Sequence, residues 1–391
     1  MTVQQPCKMG LVLTAGGARA AYQVGVLRGI SEIIQAEKNV NVDFPFQVIS
    51  GTSAGALNGA YLACARDSFD LTTSRLYQLW LNLKEDKVYR TDLAYFSKQS
   101  ASWVRNLGFG GSANATNFLL ETSPLREFLN QNLDFSQLEL NLQSGKLFGV
   151  SVSATNYGTG TAVSFFEGNQ SIEPWARSTR IGLREKITVE HVMASAAIPI
   201  LFPPIKLRRC FYGDGGIRLQ APMSPTVHMG ASKIIAIGIR YLRPESDTIE
   251  INQAFEQGHV NVADMAGVLL NAAFLDSFDT DLERIERINA TLSLMTEEQR
   301  QSHPAKLKII PILAFRPSQD LGKMAVEQLQ QFPRVLRHFL RGIGANEERG
   351  WDFLSYLAFN TSYTRKLLEL GYQDSMNRSE EVLKFFECDT R

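Results

Sequence analysis

The chain has 391 residues, with Lys+Arg and Asp+Glu balanced at 40 each and 44% hydrophobic residues. That is the make-up of an ordinary globular protein, without the basic surplus that marks nucleic-acid binding. The length exceeds what one hydrophobic core usually holds, so a main domain with a substantial appendage is expected.

In chain order, the N-terminus lacks a basic segment leading into a long apolar one, so no export signal is expected. Gly10 to Thr14 is a short apolar run that stops at Ala15-Gly16-Gly17 and gives way to ARAAYQVGVLRGISEIIQ. In that stretch Ala21, Val24, Leu27 and Ile30 recur in three-residue steps, followed by Ile33 and Ile34. The pattern predicts a strand, a glycine turn and a helix ending near Glu37. Phe46 to Ser50 repeats it, followed by a second glycine-bracketed turn and ALNGAYLACAR. Two such units predict parallel strands with helical crossovers, hence a three-layer α/β/α fold with a mostly parallel sheet.

Residues 70–135 interrupt the rhythm with Trp80, Tyr89, Tyr95, Phe96, Trp103, Phe109 and Phe118 and a turn-prone Gly108 to Ser112. They read as an insertion or lid, although aromatics also dominate ordinary cores. Further strands are predicted in KLFGVSVSATN, TAVSFFE, CFYG and KIIAIGIR, and a helix in EHVMASAAIPILFPP ending before Pro199. From residue 246 the chain reads mainly as helix. The expected organisation is a main α/β domain over 1–245 and a helical extension over 246–391.

Gly51-Thr52-Ser53-Ala54-Gly55 matches G-x-S-x-G between a predicted strand and a predicted helix, the context of a nucleophile elbow. The small neighbours permit the tight turn, and the following helix offers unpaired N–H groups to an anion. Gly16, Gly17, Ala18 and Arg19 occupy the same point of the first unit, so their amides are expected beside Ser53, at the strand ends where ligands bind. No G-x-G-x-x-G and no G-K-[ST] supports a phosphate-binding reading. Asp214-Gly215-Gly216 follows the short strand at Cys210 to Gly213; alone it reads as a turn former.

TAGGARAAYQVGVL, GTSAG, ASAAIPILFPP and the Asp-Gly-Gly turn, in this order, resemble the patatin-like phospholipase family, particularly its bacterial members, over about residues 8–240. LLELGYQDS and EEVLKFF resemble the tail of some members. The resemblance implies Ser53 as nucleophile, Asp214 as its base, the amides of the Gly16 to Arg19 turn as oxyanion hole, and no cofactor. Arg19 matches the family's basic position, whereas Ala15 and Ala20 stand where many members have glycine. A Ser-Asp dyad is demanding, because a free aspartate of pKa about 3.9 is a poor base, so burial must raise it. The expected activity is hydrolysis of carboxylic esters of phospholipids, lysophospholipids or acylglycerols through an acyl-enzyme. An acyltransferase using the same serine and a non-catalytic lipid-binding protein are the rival readings.

A Ser-Asp-His order could also be completed by His228, His259 or His303, but each falls in a probable helix; His191 suits a helix start. Arg334, Arg337, His338 and Arg341 form a basic face among Val335, Leu336, Phe339 and Leu340, either an ordinary amphipathic helix or a contact for anionic lipid. No uninterrupted apolar run approaches the roughly 18 residues of a spanning helix. A cytoplasmic protein is expected, with peripheral membrane contact as the possibility this basic face raises. Cys7, Cys64, Cys210 and Cys388 are scattered, without zinc-site or disulfide spacing, and no metal motif is found.

Overall fold

A computed structural model describes residues 7–38, 43–90, 118–255, 260–302, 307–346 and 348–387. The two short apolar runs become β1 (Met9–Leu13) and β2 (Val48–Thr52), buried at every position. Such strands belong to a sheet covered on both faces. They are followed by β3 (Gly149–Asn156), β4 (Thr161–Gly168), β5 (Trp175–Ala176), β6 (Arg180–Arg184), β7 (Ile205–Leu207), β8 (Cys210–Asp214), β9 (Lys233–Ile237) and β10 (Ile312–Phe315). Among the described residues these strands form one sheet in the order β10-β9-β1-β2-β3-β4-β6-β5, with β8 paired to β3 and β7.

The sheet changes character at β3. From β10 to β3 all neighbours are parallel. β3 then pairs antiparallel with both β4 and β8. β4 and β6 are again parallel, so the sheet is mostly parallel, as expected from the first two units, with the antiparallel pairs confined to the side from β3 outward. The tight turn at Tyr157 to Gly160 joins β3 to β4 as a hairpin, and a hairpin can only be antiparallel.

The helices that position the site are α1 (Ala21–Lys38), α2 (Ala54–Ala63), α3 (Val189–Ser195), α4 (Val262–Phe274), α5 (Asp276–Ser293), α6 (Arg334–Gly342), α7 (Trp351–Leu357) and α8 (Thr361–Met376). The three-residue apolar stripe of α1 buries Val24, Leu27, Ile30 and Ile34. α8 packs along α1, where the Tyr22 hydroxyl donates to Asp374 Oδ2 at 3.0 Å.

Residues after 246 are mainly helical where described, but β10 lies among them and extends the sheet beyond β9. Of the aromatics in 70–135, Trp80 and Tyr89 are fully buried. Trp80 Nε1 donates to Asn58 Oδ1 at 2.7 Å, and the Tyr89 hydroxyl to the Leu357 carbonyl at 2.8 Å. These two are core. Tyr95, Phe96, Trp103, Phe109 and the glycine-rich segment 108–112 lie outside the described residues.

Candidate active site

Ser53 sits on the turn between β2 and α2 with φ 56° and ψ −129°, in the left-handed region that non-glycine residues rarely occupy. Holding it there costs on the order of 1–3 kcal/mol, so the surroundings must fix it. The Ser53 N–H donates to Ser195 Oγ at 2.8 Å, and Ser195 Oγ donates to the Ser153 carbonyl at 2.6 Å. The Ser53 carbonyl accepts from the N–H groups of Ala56 and Leu57 at 2.8 and 3.3 Å, which starts α2. Gly51, Thr52, Ala54 and Gly55 complete a buried turn. A Cβ on Gly55 would stand 2.3 Å from the Leu13 carbonyl oxygen, so no side chain fits where α2 passes the end of β1.

Register brings Asp214 to the same place. Thr52 of β2 lies opposite Ser153 of β3, and the next β3 residue, Ala154, lies opposite Asp214 of β8. Asp214 is fully buried. Its N–H donates to the Ala197 carbonyl at 2.8 Å, and its own carbonyl accepts from Thr155 Oγ1 at 2.7 Å. Its Oδ1 accepts from the Gly216 N–H at 2.9 Å, while Oδ2 has no aligned donor. Desolvation pushes the carboxyl from 3.8 up to about 7, against the opposing pull of the Ser53 hydroxyl and the Gly216 N–H.

Gly16 and Gly17 lie at the end of β1, which neighbours β2, so the first glycine turn runs beside the elbow. Gly17 to Ala20 form a single 3-10 turn, whose first N–H groups, on Gly17 and Ala18, have no helical acceptor. The Arg19 N–H, expected to share that role, already donates to the Gly16 carbonyl at 3.2 Å. Gly17 has φ +55°, and a Cβ there would stand 2.3 Å from the Tyr356 carbonyl oxygen of α7.

The Arg19 side chain turns away from Ser53 into the C-terminal part of the chain. Its Nε donates to Ser355 Oγ at 2.6 Å and its Nη2 to Asp352 Oδ1 at 2.7 Å, with the guanidinium 4.3 Å from the centre of the Tyr356 ring. Nη1 reaches Asn271 Oδ1 of α4 at 3.3 Å. Burial disfavours the Asp352 carboxylate, but Arg19 and Arg243 outweigh it and hold its pKa below the usual range. The pair is a strut between the β1 turn and α7.

The site is closed. Ser53 is 2% exposed, and α4 lies over the Asp-Gly-Gly turn, with Phe274 where a Cβ on Gly216 would come within 2.4 Å. Gly215 and Gly216 open the 3-10 turn beneath it. A polar cavity of about 380 Å³ opens beside Arg19, lined by Arg240, Arg243, Asp276, Asp320 and Asp352, but neither Ser53 nor Asp214 borders it.

None of the described histidines contacts the pair. His191 Nδ1 meets the N–H and hydroxyl of Thr188 in a capping box. His228 stacks on Trp175 with centroids 4.8 Å apart, and burial together with Arg177 and Arg180 lowers its pKa to about 4. His338 is exposed, while His259 and His303 lie outside the described residues.

The fold and the turn define an α/β protein that presents a serine at a strand-to-helix elbow. The family model described as Patatin-like phospholipase matches residues 11–227, more than half of the chain, and the protein belongs to that family. Membership supports lipid hydrolase activity. Among solved structures the chain is similar to VipD from Legionella pneumophila, at 12% identity and TM-score 0.36, covering 96% of this chain and 67% of that one. It is also similar to human GIVD cytosolic phospholipase A2 in complex with methyl gamma-linolenyl fluorophosphonate, at 11% identity and TM-score 0.44. That match covers 97% of this chain but 59% of the human one. At such scores the family assignment rests on the family model. No described helix is long and apolar enough to cross a membrane.

Sequence reading missed Ser195, Asn271, Asp352 and Ser355. Ser195 lies inside the ASAAIPILFPP segment, but nothing in its neighbours marks a hydroxyl that reaches the elbow. Asp352 and Ser355 lie more than 300 positions from Arg19, and no local pattern signals that pairing.

Proposed function

We propose that the protein is a serine lipid acyl hydrolase working through Ser53 and Asp214, with residues 1–245 as its catalytic domain and 246–391 as an extension that buttresses the site. Ser53 Oγ attacks the ester carbonyl, the new C–O bond forms, and the hydroxyl proton passes to Asp214 Oδ2. The carbonyl electron pair becomes an oxyanion held by the N–H groups of Gly17 and Ala18. Collapse breaks the bond to the leaving alkoxide, which takes the proton back from Asp214. A water molecule, losing its proton to Asp214, then attacks the acyl-enzyme carbonyl; the bond to Ser53 Oγ breaks, Oγ takes the proton back from Asp214, and the fatty acid leaves. Phospholipids, lysophospholipids and acylglycerols all carry the ester this chemistry needs.

The observation that carries this reading is Asp214 Oδ2, buried, without an aligned donor and close enough to Ser53 to feel its hydroxyl. Desolvation turns a poor base into one matched to neutral pH. Because its pKa is raised to about 7, the carboxylate is protonated and idle on the acid side and becomes a base as pH rises. A fluorophosphonate esterase probe should therefore label Ser53 at a rate that climbs between about pH 5 and about pH 8, with an inflection near 7. Peptide mapping by mass spectrometry checks the position. Labelling elsewhere, or a rate independent of pH, would remove the dyad.

A further inference from the structure

The helix that covers the site turns an apolar face outward. In α4 the positions facing the protein are Ala263, Gly267 and Phe274. Those facing solvent are Val262, Met265, Val268, Leu269 and Ala272, with Val268 65% and Leu269 70% exposed. Val260, just before the helix, is 62% exposed. The helix's one charged residue, Asp264, is half-buried and accepts from the N–H groups of Asn261 and Gly350. A surface helix ordinarily turns its polar side to water, so this face suits a non-aqueous neighbour.

The basic helix α6 abuts it. The Ile343 carbonyl at the end of α6 accepts from the Ala263 N–H at 3.0 Å, and the Gly344 carbonyl from Asn261 Nδ2 at 3.0 Å. On α6, Arg334, His338 and Arg341 are exposed. Arg337 and Arg341 donate to Gln330, and among the described residues none of the four basic groups pairs with a carboxylate. An apolar face joined to uncompensated positive charge is what an anionic lipid surface recognises, since acyl chains take the one and headgroups the other. A second copy of the chain would instead bring the same arginines, without carboxylate partners among the described residues, to the interface. The face is also tied to the catalytic turns, because Phe274 lies on Gly216 and Asn271 Oδ1 accepts from both Arg19 and the Tyr356 hydroxyl.

We propose that α4 and α6 together form the docking surface for an anionic lipid bilayer, which sets the membrane directly over the Ser53 and Asp214 site. The proposal rests on the lipid-hydrolase reading for its purpose but not for its test. Binding is measured with full-length Ser53→Ala protein, so no lipid is consumed, by flotation with vesicles of equimolar phosphatidylcholine and phosphatidylglycerol and with phosphatidylcholine alone. The protein should float with the anionic vesicles. Adding Val268→Ser and Leu269→Ser should weaken that binding about tenfold or more. Arg334→Gln with Arg341→Gln should weaken it on anionic vesicles only and reduce its salt dependence.

In the chain that keeps Ser53, the α4 double variant should hydrolyse a monomeric short-chain ester within about twofold of the unaltered rate, which also reports a folded site. If the double variant fails to fold, Leu269→Ser alone takes its place. No flotation of the Ser53→Ala protein, unchanged flotation of the α4 variants, or a dimer dissolved by those variants without vesicle binding would each overturn the proposal. Flotation as expected beside an inert Ser53 would instead leave the docking surface standing and remove the hydrolase.

Discussion

Asp214→Asn is expected to lower kcat on an ester substrate by about 10³–10⁴-fold while making the protein more stable at alkaline pH. Activity falls because the amide cannot accept the Ser53 proton. Its oxygen can still accept from the Gly216 N–H, so the turn survives. The stability gain follows from linkage. A carboxyl whose folded pKa is raised from 3.8 to about 7 favours the folded state only while it is protonated. Ionisation opposes folding progressively as pH climbs through that window, and the full penalty remains above it. With about 1.4 kcal/mol per unit, that penalty is on the order of 4 kcal/mol, of which relief of about 2 kcal/mol would be visible as a raised melting temperature. Melting curves at about pH 8 and about pH 4 check this: the variant should lead at pH 8 and lose its lead at pH 4. An active variant would remove Asp214 from the chemistry, and a pH-independent difference would remove its burial penalty.

Gly17→Ala is expected to cost about 10²–10³-fold in kcat with a smaller loss of stability. At φ +55° an alanine is strained by about 1 kcal/mol, and its Cβ would stand 2.3 Å from the Tyr356 carbonyl oxygen. Neither backbone can yield cheaply, because α7 is held by the Arg19 strut to Asp352 and Ser355. The turn must shift, and with it the two N–H groups assigned to the oxyanion. Steady-state kinetics on a short-chain ester, beside a thermal melt, separates the effects. A kcat equal to that of the unaltered protein would detach this turn from the oxyanion.

Much of this architecture was legible because it is local. The Gly10 to Thr14 and Phe46 to Ser50 runs, each ending in glycines before a helical stripe, were enough to predict parallel β1 and β2, and parallel pairing sets the two turns side by side. Asp214 was legible only through resemblance, since an Asp-Gly-Gly turn is commonplace; β8 pairing against β3 is what carries it to the elbow, and pairing of distant strands leaves no local trace. β10, a four-residue strand, is too short for a periodicity signal, so the 246–391 stretch read as helix. The strut from Arg19 to α7 was invisible for the same reason as Ser195: each joins residues far apart in sequence.

The most direct test of the central claim compares the unaltered protein with Ser53→Ala on a total lipid extract containing phospholipids, lysophospholipids and acylglycerols, with products followed by mass spectrometry. The account predicts free fatty acid released by the unaltered protein alone, with one ester-lipid class declining in step. Equal product from both proteins, or acyl chains moved to another alcohol with no free acid, would contradict it.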